Sequence, residues 1–286
     1  MLICQHNGQM VKTNSLALCD RATPEDCHRC YPEHTPESFW LRKEFIRDRL
    51  AVVDGFIAPS EFLRQRYLDW GIPEDRIVTI ENCLPERQPV PPRAVVQGER
   101  RNRFAFFGQI NPYKGLDVLL RALGELSKSE RREVHLEIHG AHFEQQSEAL
   151  RKSVKALLKP LEGKGVVHWV GPYRPSQLAT RIAEVDWVLM PSVWWENSPL
   201  VIQEAFGLGR PVICSNIGGM AEKVRHGVDG LHVAVGHPRA WARTLLECSR
   251  DDTLWQRLSD GIRRPPQGQA ITDTHLQLFA GARVVN

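Results

Sequence analysis

The sequence predicts an α/β fold: a doubly wound, Rossmann-like parallel sheet over residues 104–265, preceded over 1–85 by part of a second domain of the same kind. Three observations predict it. From Arg103 onward short apolar runs alternate with segments of helical periodicity, the pattern of βα units. The apolar runs are nearly continuous, as in Trp187-Val188-Leu189-Met190, which is the mark of strands covered on both faces. Between the two regions lies a stretch with Pro85, Pro89, Pro91 and Pro92, several charges and no periodicity, so residues 86–103 read as a linker.

Taken in order, 36–53 reads as a helix, Phe56–Ala58 as a strand stopped by Pro59-Ser60, Glu61–Trp70 as a helix closed by Gly71, and Ile77–Ile80 as a strand. Strands are then expected at Phe104–Phe107, Val134–His139, Val166–Val170, Trp187–Met190, Pro211–Cys214 and Leu231–Val235. The helices between and after them are Lys114–Leu126, Phe143–Leu158, Pro175–Glu184, one from Ser198 to about Gly209, a short one near Met220–Arg225, and Pro238–Cys248. Residues 266–286 form a C-terminal segment with a short helix in ITDTHLQLFAG.

Composition is that of a globular protein, with 25% charged and 42% apolar residues, and a net charge of +3 is too small to argue for a nucleic-acid partner. No apolar run approaches the roughly 18 residues of a membrane span, and MLICQHNGQM lacks the basic start and apolar centre of a signal peptide, so a cytoplasmic protein is expected. The helix at 36–53 mixes Phe39, Trp40, Phe45, Ile46 and Leu50 with Arg42, Lys43, Arg47 and Arg49. Glu37, Glu44 and Asp48 dilute its charge, which favours a packed surface helix and leaves peripheral contact with the inner face of the membrane as the alternative. Seven cysteines, an odd number in a chain of this length, point to reduced thiols. Cys27 and Cys30 have the two-residue gap of a metal knuckle, and with Cys4 and Cys19 they are the zinc candidates. The other gaps match no standard site, so no metal is expected.

The chemistry is expected in DWVLMPSVWWENSPLVIQEAFGL, residues 186–208. Ser198 before Pro199 looks like a helix start, the hydroxyl accepting an orphan amide and the proline having none to lose. Glu204 lies three and four residues from Val201, Leu200 and Leu208, which places it on the stripe expected to face the core, and a lone buried carboxylate is costly. Glu196 precedes the same N-terminus, where free amides suit a phosphate. In Gly108-Gln109-Ile110-Asn111-Pro112-Tyr113-Lys114-Gly115 the lysine stands between a strand-ending glycine and a helix start, again suiting a phosphate. Gly218-Gly219 after the next strand lets a backbone approach an anion closely. His139 and His142 are read as packing residues.

The span from PSVWWENSPLVIQEAFGLGRPVICSNIGG to HGVDGLHV resembles the donor-binding domain of retaining glycosyltransferases of the GT-B fold, the large family four group. GFIAPSEFLRQRYLDWGIPEDRIVTIENCLPE resembles the end of that family's first, acceptor-side domain. The resemblance implies that Glu196 contacts the transferred sugar, Glu204 the ribose hydroxyls, and Lys114 the diphosphate. It implies that Gly108, Asn197, Ser198, Pro199, Leu200, Gly140, Tyr173, Gly218 and Gly219 line the donor site. Gln109 stands where the family usually has an arginine, which puts the donor affinity in question because a neutral hydrogen bond is weaker than a charged one. No Asp-x-Asp pair occurs, so no cofactor is expected, and Lys114 and helix amides take the place of a metal on the diphosphate of a nucleoside diphosphate sugar. The acceptor is expected to be a saccharide or a lipid-linked acceptor, and the final segment to correspond to the helix that crosses back to the first domain.

With only two strands in 1–85, the first half of the acceptor-side domain is expected to be missing. Exposed edges would then favour self-association or a complementing chain. Two other readings stand beside the transferase: a truncated, catalytically inactive nucleotide-sugar-binding module needing a partner chain, and a sugar-phosphate isomerase of the same two-domain architecture, which the nucleotide-sugar epimerases of the GT-B fold share.

Overall fold

The computed structural model describes residues 2–281 except 7, 16, 162–164 and 267; residues 282–286 of the expected C-terminal segment, and 267 within it, lie outside the described residues. In chain order the first elements are α1 (Pro24–Cys30), α2 (Pro36–Leu50), β1 (Phe56–Ala58), α3 (Glu61–Trp70) and β2 (Ile77–Thr79). Then come β3 (Arg103–Gln109), α4 (Leu116–Glu125), β4 (His135–Ala141), α5 (Glu148–Leu158), β5 (Val167–Trp169), α6 (Leu178–Ala183), β6 (Trp187–Met190) and α7 (Leu200–Gly207). The chain closes with β7 (Val212–Ser215), α8 (Gly218–Lys223), β8 (Gly230–Val233), α9 (Pro238–Arg250), α10 (Asp252–Asp260) and α11 (Gly268–Gly281).

By packing the chain forms two units: residues 1–83, 194–198 and 266–286 make the first, and 84–193 with 199–265 the second. In the first unit β1 and β2 pair in parallel, Phe56 opposite Ile77, and no third strand joins them among the described residues. Half of the buried core residues here lie outside regular elements: Ile3, Met10 and Cys19 from the irregular N-terminal region, with Ile72, pack against Ala58, Leu63, Trp70 and Ile77. Helix α3 begins where the Ser60 hydroxyl accepts the Leu63 amide and ends at Gly71, whose φ of 113° only glycine adopts readily. Helix α1 is an addition to the expected elements, although Thr23-Pro24 starts it by the usual rule: the threonine side chain accepts from the Asp26 amide and proline takes the first turn.

The second unit carries a six-stranded, all-parallel sheet in the order β5-β4-β3-β6-β7-β8. Counted within the unit this is 3-2-1-4-5-6, the doubly wound order. Alternate residues of β3 serve opposite faces: Phe104 and Phe106 pack under α4, α9 and α10, whereas Ala105 and Phe107 pack under α6, α7 and α8. Such a strand has no polar face, and its sequence shows none. Helix α5 starts at Glu148 and not at the expected Phe143, because the Ser147 hydroxyl caps it by accepting the Leu150 amide. Phe143 lies outside the helix and packs on Trp169, ring centroids 5.0 Å apart.

Residues 86–102 contain no helix or strand, and the last residue of the expected linker, Arg103, already belongs to β3. Buried charge stitches this segment to the second unit. Asp186, fully buried, accepts from Arg93, Arg101 and the Arg103 amide. The similarly buried Arg210 donates to the carbonyls of Val90 and Pro91 as well as to Val185. Among the described residues no helix is long and apolar enough to cross a membrane.

Candidate functional site

In a doubly wound sheet ligands bind beyond the carboxyl ends of the strands, where the strand order reverses, and here that point lies between β3 and β6. The loops that follow these two strands are locked together. Gly115, which precedes α4, has φ 72°, and a Cβ there would stand 2.1 Å from the Pro191 carbonyl oxygen, so only glycine fits. The Val193 amide donates to the Tyr113 carbonyl at 2.8 Å, and the Asn111 side chain accepts from the Tyr113 amide at 3.0 Å. Half-buried Lys114 is held in this brace, one residue ahead of Gly115. Gly108, at φ 146°, and the exposed Gln109 end β3 itself.

Helix α7 differs from its expected form in two ways. It begins at Leu200, with Pro199 as its N-cap and no side-chain cap among the described residues, because the Ser198 hydroxyl donates instead to Glu81 Oε1 at 2.5 Å. The face toward the core carries Ile202, Ala205 and Phe206, whereas Leu200 is 43% exposed, so Glu204 lies on the half-buried flank and not on the core stripe. Nor is its carboxylate alone: Arg87 Nη2 lies 3.6 Å from Glu204 Oε1. Burial pushes the Glu204 carboxyl up, and Arg87 opposes that shift.

Tyr173, from the loop after β5, borders the same cluster. Its phenol is pushed up to about 12, first by burial and then by Glu204, against the pull of Arg181 and Arg87. The ring meets Phe107 edge-on at 5.6 Å, and Phe107 stacks on the buried His139 at 4.4 Å. Arg181 can only donate, so His139 Nδ1 accepts from it at 3.1 Å and Nε2 carries the proton, donating to Glu137 at 2.9 Å. His139 is therefore a packing residue that holds Arg181 beside Tyr173.

Glu196 belongs to the first unit, as do Asn197 and Ser198. It is 7% exposed and accepts the Trp194 indole N–H at 2.8 Å. Trp195 stacks on Phe62 at 5.3 Å, takes the Arg66 guanidinium on its ring at 4.5 Å, and donates to the Cys19 carbonyl. A cavity of about 320 Å³ opens here, lined by Pro59, Asn82, Trp194, Trp195, Glu196 and Asn197 among others. Inside this segment Asn197 Oδ1 is buried without a hydrogen-bond partner among the described residues, an acceptor that a hydroxyl would satisfy.

Three other expected residues are glycines of the sheet edge. Gly140 lies within β4, and a Cβ there would stand 2.4 Å from Ile110 Cδ1, so the glycine makes room for the loop after β3. Gly218 opens α8 at φ 57°, with Gly219 buried behind it. The thiols of Cys4, Cys19, Cys27 and Cys30 are electrostatic neighbours: Cys27 is pushed up to about 12 by burial and then by the other three. Among the described residues no group of three or more His, Cys, Asp or Glu side chains is placed to hold a metal ion. Sequence reading misses Arg87, hidden in the proline-rich stretch, and Arg181 and Trp194, whose partners are fixed only by folding.

The doubly wound sheet, with its loops gathered and braced at the switch point, defines a Rossmann-like α/β unit. Residues 92–264, more than half of the chain, match the family described as Glycosyl transferases group 1, and the chain belongs to that family. It is 32% identical over 179 residues to a D-inositol 3-phosphate glycosyltransferase of Corynebacterium aurimucosum, an alignment covering 62% of this chain and 39% of that one. Against the Corynebacterium jeikeium protein of the same name it is 28% identical over 254 residues, 87% of this chain and 58% of the relative. The chain thus spans between about two fifths and three fifths of the length of these two relatives. Among solved structures, Anabaena Alr3699/HepE in complex with UDP and glucose superposes with a TM-score of 0.68 at 19% identity, covering 86% of this chain and 69% of that one. A glycosyltransferase from Rickettsia africae gives 0.69 at 18% identity, with coverages of 84% and 67%. These likenesses show the GT-B type of α/β fold.

Proposed function

We propose that the chain is a nucleotide-sugar-dependent glycosyltransferase that moves a sugar to an acceptor hydroxyl with retention of configuration. The observation that carries this is the braced loop holding Lys114 at the β3–β6 switch point, where a diphosphate would meet a fixed cation. Glu204 takes the ribose hydroxyls, Glu196 orients the sugar, and Gly218 and Gly219 admit the phosphates. As the bond from the anomeric carbon to the diphosphate breaks, the acceptor oxygen bonds to that carbon on the same face. The acceptor proton passes to the departing phosphate oxygen, and Lys114 stabilises the charge that grows there.

The Anabaena neighbour is solved with UDP and glucose, which makes a UDP-sugar the first donor to test. The acceptor is a saccharide or a lipid-linked acceptor, the latter met at the inner face of the membrane. In this reading residues 1–85 belong to the acceptor-side domain, 104–265 are the donor domain and 266–286 the crossing segment, and the protein partner is a second copy of the chain or a complementing chain. Calorimetry with UDP and GDP tests the site: Lys114→Ala and Glu204→Ala should each weaken binding by about 1.5–3 kcal/mol, the worth of a charged hydrogen bond. Unchanged affinity in both variants would remove the assignment.

A further inference from the structure

The cluster beside α7 contains a cation to which the proposed reaction gives no task. Arg87 comes from the irregular segment ahead of β3 and packs on α7, its Cβ 3.7 Å from where a Cβ on Gly207 would stand. The Arg87 and Glu204 side chains are 20% and 18% exposed, and their closest approach is 3.6 Å. Arg87 Nε is buried without a hydrogen-bond partner among the described residues. A mostly buried guanidinium with an unmet donor is poor structural glue, since the orphaned N–H keeps its desolvation cost. It suits a site that a ligand acceptor completes. The other titratable groups in this cluster are Tyr173, from the loop after β5, and Arg181 on α6.

We infer that Arg87 is the positioning residue of the nucleotide site: its guanidinium holds the Glu204 carboxylate ionised and in place to grip the ribose hydroxyls. The inference rests on Glu204 having that role. Burial alone favours the neutral carboxyl, which is the weaker acceptor for a hydroxyl, and Arg87 is the cation that opposes it. Losing Arg87 should therefore cost the protein its ability to sense the ribose hydroxyls before it costs affinity for the diphosphate.

The test compares UDP with 2′,3′-dideoxy-UDP by calorimetry on the full chain. Wild type should prefer UDP by about tenfold, the worth of one charged hydrogen bond. Glu204→Gln should bring the ratio close to one, Arg87→Met and the polar Arg87→Gln should do the same, and Arg87→Lys should recover part of it. Thermal melts identify the folded variants, and either neutral substitution suffices. If Glu204→Gln loses the preference while the folded Arg87 variants keep it, the role of Arg87 is overturned and that of Glu204 stands. A ratio that does not depend on Glu204 overturns both.

Discussion

The two units are made of chain with opposite legibility. In the second, β6 and β7 are buried along their whole length and β3 over Phe104–Phe107, and their apolar runs announce them. In the first, two strands of three residues carry partly exposed Ile57 and Val78, and the core depends on Ile3, Met10 and Cys19 in irregular chain. A sheet writes its register into sequence when both faces are covered; a core assembled from loops leaves no period to read.

The largest effect expected from a substitution tests the charged staple of the second unit. Asp186→Ala removes the buried carboxylate that Arg93 and Arg101 share, leaving Arg93 the Glu99 carboxylate, and should cost about 3–5 kcal/mol in denaturant unfolding. A loss under about 1 kcal/mol would mean that the staple is as dispensable as a surface ion pair. In the first unit the Trp195 ring links Phe62 and Arg66, with one face against a guanidinium and a cavity nearby. Trp195→Ala should therefore cost less, in the same unfolding experiment, than the roughly 3–5 kcal/mol of a fully enclosed aromatic. An equal cost would erase the contrast between the units.

Smaller effects separate the two glutamates. Glu196→Ala should spare UDP affinity while weakening the additional binding of a UDP-sugar, whereas Glu204→Ala should weaken both in calorimetry; identical profiles would merge their roles. Glu204 also carries a pH signature. Its carboxyl is raised in the fold, so its favourable contribution is full below the unfolded carboxyl pKa and is lost as pH rises through the folded one. Glu204→Gln should therefore raise Tm near pH 7 and give no gain below about pH 4. The smallest effect is chemical: with its thiol pushed up to about 12, Cys27 should alkylate slowly near neutral pH in the folded protein and readily in denaturant.

Much of the candidate site is readable in the sequence because it hangs on sheet-defined loops: Lys114 beside Gly115, and Gly218 at the start of α8, follow from where strands end. Glu204 is legible as a residue of interest but sits a fraction of a turn from its expected place, since helical spacing alone cannot say which flank of a short helix meets the sheet. Ser198 reads as a cap because its sequence neighbour is Pro199, and only folding brings Glu81 to its hydroxyl. Arg87 is invisible for the same reason: nothing in a proline-rich stretch marks which charge will turn inward.

The carbonyls held by Arg210 have a consequence for anyone who dissects the chain. The guanidinium binds Val90 and Pro91 through backbone oxygens, and the Val90 side chain packs on the core beneath α6, α7 and α8, so the path of the segment is fixed although it contains no helix or strand. A fragment of the second unit cut at Pro92 would look sound on a map of strands and helices, yet it would leave a buried cation short of two acceptors. Such a fragment should express as an unstable protein, and the safe cut lies before Leu84, ahead of the first residue that packs with this unit.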